Sequence, residues 1–520
     1  MLNPSTRRLL AGLGVVGAFV ATSAVPTSAA PTDIEVDYYF ADLTVAAGTS
    51  GKVESPTMFA SEPVVLHEVT MRYDFSDLAG KVTVQEEDDF GYCTKPEPSV
   101  LLCTTPFEIG LEDWGIGGNF PVVVAPTDEA ETGDTGTLRM TLTAAGLEPV
   151  KRESKIRVGE GVDLAAGDET QVSVAPGGKF SLPLAVRNAG TTTVQGSTAV
   201  FYGDYAFRAA EKYSNCTYEG DELRTCHFDE ALTPGTRYRA SLGFVLGADT
   251  YAPGRSYADA VWMTSAEYED FAGYLKNVGV SPGKPGTGGV LPLAGEAGRV
   301  RGAQADTDPT NNWASYQVKV TGTNGTDLAA VGDKVTGAAG EEVRASVGFR
   351  NNGPATLDYT RSGSSVTYVK VVVPTGTTVV AASEFCAPVK GDDRGEPGEP
   401  GGREYLCFPT SLSKAGEEEL VEFTLRIDKV VANAKGVVEA NVSCQCDGGF
   451  NDDLKPANDI AALLVNATTA GGGAGGGEDD GSLPITGART SLVLAASGLL
   501  LVAGVVGLVL ARRRRTRFVA

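Results

Sequence analysis

Glu342-Val343-Arg344-Ala345-Ser346-Val347-Gly348-Phe349-Arg350-Asn351-Asn352-Gly353 decides the fold. Val343, Ala345, Val347 and Phe349 recur at every second position with polar or small residues between them. That period buries one face of a strand and wets the other, and the Asn-Asn-Gly behind it predicts a turn. Working outward, Phe180, Leu182, Leu184 and Val186 repeat the pattern before Arg187-Asn188-Ala189-Gly190, and Val69, Met71, Tyr73 and Phe75 give a third example. The openings upstream also correspond, Asp163-Leu164-Ala165-Ala166 against Asp327-Leu328-Ala329-Ala330, with Asp42-Leu43 a weaker counterpart.

Cysteines fall into the same frame. Cys93 and Cys103, Cys216 and Cys226, and Cys386 and Cys407 each follow one of the period-two strands. Further apolar strands are expected over 120–124, 238–246 and 420–427. The second and third units close on Asn-rich turns, 306–312 and 456–459, before last strands over Trp313–Val320 and Ile460–Val465; the first ends with a strand over 154–158 and lacks that turn. Helical periodicity is hard to find. Short strands separated by Gly, Pro, Asn and Asp predict an all-β chain of tandem β-sandwiches. The units are 30–158, divergent from the others, 159–322 and 323–466.

Asn352-Gly353-Pro354 and Asn311-Asn312 resemble the turns of Ig-like repeats in bacterial surface proteins, over about 300 residues in all. The resemblance implies Ig-like sandwiches and a stalk or adhesive role with an unknown surface ligand, and it supplies no catalytic residue. Such domains also carry Lys–Asn isopeptide crosslinks, for which Lys370 in the strand 366–373 is a candidate without a nameable partner. The Gly- and Pro-rich stretches 281–298 and 391–402 read as inserted loops, the latter a flexible one between Cys386 and Cys407. Its two collagen-like triplets are too few for a triple helix.

The ends address the chain. Arg7 and Arg8, an apolar stretch over 9–20 and the small residues Thr27-Ser28-Ala29 predict a signal peptide, 1–29, with Ala24 or Ala30 as alternative ends. Thr6-Arg7-Arg8 is compatible with twin-arginine export as well as the general route. Residues 467–482 form a Gly-rich linker of roughly 22 Å average reach. Beyond it stand Leu483-Pro484-Ile485-Thr486-Gly487, an apolar run over 491–511 and a basic tail over 512–520 that begins with Arg512 to Arg515. At ~1.5 Å of rise per residue that run spans about 30 Å, one transmembrane helix, and the arginines hold its far end in the cytoplasm.

The segment 483–520 resembles the LPxTG sorting signal of Gram-positive surface proteins at every fixed position. The resemblance implies recognition of Leu483 and Pro484 by the transpeptidase sortase, cleavage between Thr486 and Gly487 through a thioester, and transfer of Thr486 to a peptidoglycan amine. The protein would then be secreted and cell-wall-linked, membrane-anchored only before sorting.

Composition narrows the function. The formal charge of −23 becomes −31 once the eight arginines of the two removable ends are gone. Such a surface repels nucleic acid and anionic lipid. His67 and His227 are the only histidines, too few for a three-His metal centre; no metal ligand is assigned and no cofactor is expected. In an oxidising compartment the cysteines read as disulfides, most simply paired within each unit. Cys444 and Cys446 are open between an internal disulfide at a bulge, interchain pairing, and a redox or metal role. Acid clusters at 86–89, 306–308 and 451–453 are solvated turns or calcium ligands without EF-hand spacing. The chain is read as a non-enzyme; the rivals are a glycan-active enzyme using Glu86, Asp88 and Asp113 of the first unit, and a pure spacer.

Overall fold

The computed structural model describes residues 34–87, 91–111, 115–294, 296–297, 303–391, 393–442, 450 and 452–466. The segments 1–29, 467–482 and 483–520 lie outside them, with the sorting residues Leu483 to Gly487, Cys444, Cys446, Asp88, Asp113 and Asn451. The described residues are all-β apart from the helix Ser265–Asn277 and short 3-10 turns. Among the described residues no helix is long and apolar enough to cross a membrane.

Strand Glu342–Pro354 forms where alternation demands it, with Ala345, Val347 and Phe349 wholly buried. It pairs antiparallel with Glu418–Ile427 on one side and Thr326–Val331 on the other. The expected turn at 350–353 is instead a bulge: Leu328 faces Asn351 and Asp327 faces Gly353, so Asn352 is the extra residue. Gly353 takes a positive φ of 80°, which a Cβ would strain.

Three cores follow one another, around Tyr73, Trp262 and Phe349; a four-stranded and a larger sheet enclose the second and third, and one large sheet with three sheets of two or three strands encloses the first. One sheet has the same spatial order in all three units. In the first it runs Leu43–Ala46, Val150–Val162, Thr135–Thr143, Thr70–Asp74, Val100–Thr104, Cys93–Glu97. In the second it runs Thr170–Val174, Trp313–Val320, Gly254–Thr264, Val194–Gly203, Glu222–Leu232, Cys216–Glu219. In the third it runs Asp333–Val335, Ile460–Val465, Ala434–Glu439, Val369–Val372, Glu404–Cys407, Cys386–Lys390. In every unit the edge strand that opens this sheet pairs parallel with the closing strand, and the next strand of the sheet pairs antiparallel with the closing strand.

This order corrects the repeat register for the first unit. Thr70–Asp74 occupies the place of Val194–Gly203 and Val369–Val372, not that of Lys179–Asn188 and Glu342–Pro354, which belong to the opposite sheet. Any half-buried strand alternates in the same way, so alternation could not tell the two sheets apart. The closing strand Val150–Val162 also runs past 158, pairing with the first unit through Gly159 and with Gln304–Asp306 of the second from Glu160 onward.

Buried asparagines repeat between the second and third units. Asn188 Nδ2 donates to the carbonyls of Thr192 and Leu232, both at 2.7 Å, and its Oδ1 accepts the Gly190 amide. Asn351 does the same with Ala355, Ser413 and Gly353. A clasp repeats too: Asp163 accepts from Asn311 and Asp327 from Asn458, while Asp306 and Asp453 accept the amides of Leu164 and Leu328.

The helix Ser265–Asn277 was not expected from the sequence. Its start carries a capping box in which Thr264 Oγ1 accepts the Glu267 amide and Glu267 accepts the Thr264 amide. The Gly- and Pro-rich stretch behind it turns Leu291 and Leu293 into the second core, with the Leu291 backbone bonded on both sides to Asn215.

Candidate functional site

The densest polar chemistry among the described residues lies where successive units meet. At the first junction the helix Ser265–Asn277 of the second unit leans on the first. Lys52 Nζ reaches Glu267 Oε1 at 2.5 Å, and Asp270 accepts from Thr44 Oγ1 at 2.7 Å and from the Arg157 guanidinium. The rings of Tyr39 and Tyr274 meet at 5.7 Å. Glu267 also accepts the Asp306 amide. Burial alone would raise the Glu267 carboxyl, but Lys52 and these amides hold it below the usual range. Asp306, only 4 % exposed, has no cationic partner among the described residues, and burial next to Glu267 pushes it up to about 7.

At the second junction Arg361 of the third unit enters the second. Its Nε meets Asp204 Oδ1 at 3.0 Å, Nη1 meets Asp259 Oδ2 at 2.7 Å, and Nη2 meets the Tyr257 carbonyl at 3.1 Å. The guanidinium lies 4.8 Å from the Tyr202 ring centroid. Burial works against its charge, yet the two carboxylates keep it firmly protonated. Asp204 is pushed up to about 6 by burial, which Arg361 offsets only in part. Around this pin Thr356 donates to the Asp249 carbonyl and carboxylate, and the Tyr205 amide donates to Asp358. Tyr251 packs its ring on Phe450 at 5.5 Å.

The sequence-derived candidates are spread over the molecule rather than gathered. Cys93–Cys103, Cys216–Cys226 and Cys386–Cys407 are disulfides, each between directly opposed residues of neighbouring antiparallel strands. Glu86 spends its carboxylate on the amides of Tyr92 and Cys93, holding the approach to the first disulfide. His67 is exposed and paired with Glu108 at 2.9 Å. His227 lies between Thr198 and Thr225 against the Tyr268 ring, where burial lowers its pKa. Lys370 pairs with Glu404 at 3.2 Å. Asp308 caps Thr310, and Asp452 accepts from Tyr251. The 391–402 stretch is docked, not free: Gly395, Gly398 and Gly401 donate to Pro388, Cys386 and Val379.

Among the described residues no group of three or more His, Cys, Asp or Glu is placed to hold a metal. A cavity of about 20 Å³ in the second core, lined by Phe201, Phe207, Phe244 and Glu222, has room for a water-sized occupant only. A larger trough beside Pro183, Arg239 and Pro292 is lined by no carboxylate. The junctions escaped sequence reading because their partners lie far apart in the chain. Only the capping box at Thr264 was legible as a local signal.

No family model matches this chain, and no curated protein matches it. Among solved structures it aligns with the crystal structure of the I9-I11 tandem from titin at 8 % identity over 84 % of this chain and 100 % of that one, with a TM-score of 0.14. It aligns with the I-band fragment I67-I69 from titin at 9 % identity over 84 % and 98 %, again with a TM-score of 0.14. Superpositions of that quality carry no argument, and the sandwich architecture rests on the sheets and cores themselves.

Proposed function

We propose that this is an exported surface protein whose C-terminus sortase joins to peptidoglycan through Thr486, displaying three Ig-like sandwiches for adhesion or as a stalk. The observation that carries the reading is the order Leu483-Pro484-Ile485-Thr486-Gly487, apolar run 491–511, arginines 512–515, behind a Gly-rich linker. The apolar run halts export with the motif outside, sortase takes the Thr486 acyl group as a thioester with release of the Gly487 amine, and a wall amine receives it. Three disulfides suit an oxidising compartment. The commitment of Glu86 to backbone amides supports a non-catalytic role over the glycan-active alternative.

Muramidase digestion of cell walls tests it. The protein should be released with peptidoglycan fragments on Thr486, and Thr486→Ala should shift it to the membrane or the medium. A mature wild-type chain that retains residues 488–520 overturns the proposal.

A further inference from the structure

Tandem domains ordinarily move against one another unless their interface is extensive. Here both junctions are built to prevent it, and by the same topological device. In the second unit the segment between Gly254–Thr264 and Trp313–Val320 contains the helix that grips Thr44, Lys52 and Arg157 of the first. In the third unit the corresponding segment, between Ala434–Glu439 and Ile460–Val465, contributes Phe450 and Asp452, which hold Tyr251 of the second. In the first unit only 144–149 connect the corresponding strands. Six residues are too few for a segment of that kind, so the first unit has no counterpart of the two gripping segments.

The covalent connections are equally short of slack. Val150–Val162 crosses the first junction as one strand, paired on both sides of it. At the second, Asn324 is bonded back to Thr250 and Ala252, and Arg361 pins the third unit to Asp204 and Asp259.

We infer that the three units form one rigid arm, held by gripping segments that each of the last two units extends onto its predecessor, with Arg361 as the pin of the second junction. The inference concerns the folded chain alone, so its failure and the failure of wall linkage are distinguishable. The test uses the full exported chain carrying pairs of spin labels on non-natural residues, at exposed Lys95 and Asp229 across the first junction and at Asp229 and exposed Lys429 across the second. Each pair should give one narrow distance distribution in double electron–electron resonance. Arg361→Ala should at least double the width across the second junction and leave the first unchanged. Glu267→Ala with Asp270→Ala should do the reverse. Arg361→Lys, which keeps the charge without the fork, should give an intermediate width and serves if the alanine variant does not fold. Broad distributions in the wild type, or widths unmoved in folded variants, overturn the inference.

Discussion

Asn351 shows how much of a sandwich can depend on one side chain. It is wholly buried, its two N–H donors serve the carbonyls of Ala355 and Ser413, and its Oδ1 accepts from both Gly353 and Thr326. Alanine would take this partner from the buried Ser413 carbonyl and Gly353 amide and leave Ala355 with the Thr326 hydroxyl alone, which costs far more than the net worth of the bonds themselves. Asn351→Ala should therefore destabilise the third unit by roughly 3 kcal/mol, read from chemical unfolding. Asn188→Ala should do the same to the second, because its bonding is the same. The sequence located both asparagines through the Arg-Asn-x-Gly likeness but assigned them to turns. Burial is what converts them into internal struts, and burial is decided by a sheet remote in sequence.

At the scale of elements, strands were legible wherever one face is wet. The expected strands over 238–246 and 420–427 lie within Arg237–Leu246 and Glu418–Ile427. What alternation could not supply was the sheet to which a strand belongs, hence the misplaced register of Thr70–Asp74. The helix was missed because its buried side is narrow: Asp270 and Leu275 are its buried residues, so it lacks the broad apolar stripe of a core helix. The disulfides permit a comparison free of loop length, since Cys93–Cys103 and Cys216–Cys226 both span a separation of 10. Converting either pair to alanine should cost roughly 3 kcal/mol through the unfolded chain. Cys216 and Cys226 are both wholly buried whereas Cys93 is not, so the second pair should cost more. The difference between the two unfolding free energies isolates packing.

For the whole molecule, acidity has a direction. Asp306 and Asp204 hold folded pKa values of about 7 and about 6 against an ordinary 3.8, raised first by burial. Between those values and the ordinary one the folded chain binds protons that the unfolded chain releases, so stability falls as pH rises through 6 and 7. Carboxylates held low, such as Asp327 and Glu267, act only below about pH 4, where their protonation destabilises. The melting temperature should thus be several degrees higher near pH 5 than near pH 8, and Asp306→Asn should flatten that slope; a rising profile over the range would contradict it. The parallel pairing of opening and closing strands has a further consequence when the chain is pulled by its two ends. In a parallel pair the outgoing termini leave in opposite directions along the strands, so tension loads the connecting hydrogen bonds together, in shear, rather than unzipping them one at a time. The registers span five residue pairs in the second unit (Thr170 to Val174), four in the first (Leu43 to Ala46) and three in the third (Asp333 to Val335). In single-molecule pulling the third unit should yield at the lowest force and the second at the highest, and the loops closed by disulfides should be missing from the extension each releases. The unit nearest the tail would then act as the fuse of the arm, lengthening under sudden drag before the outer two give way.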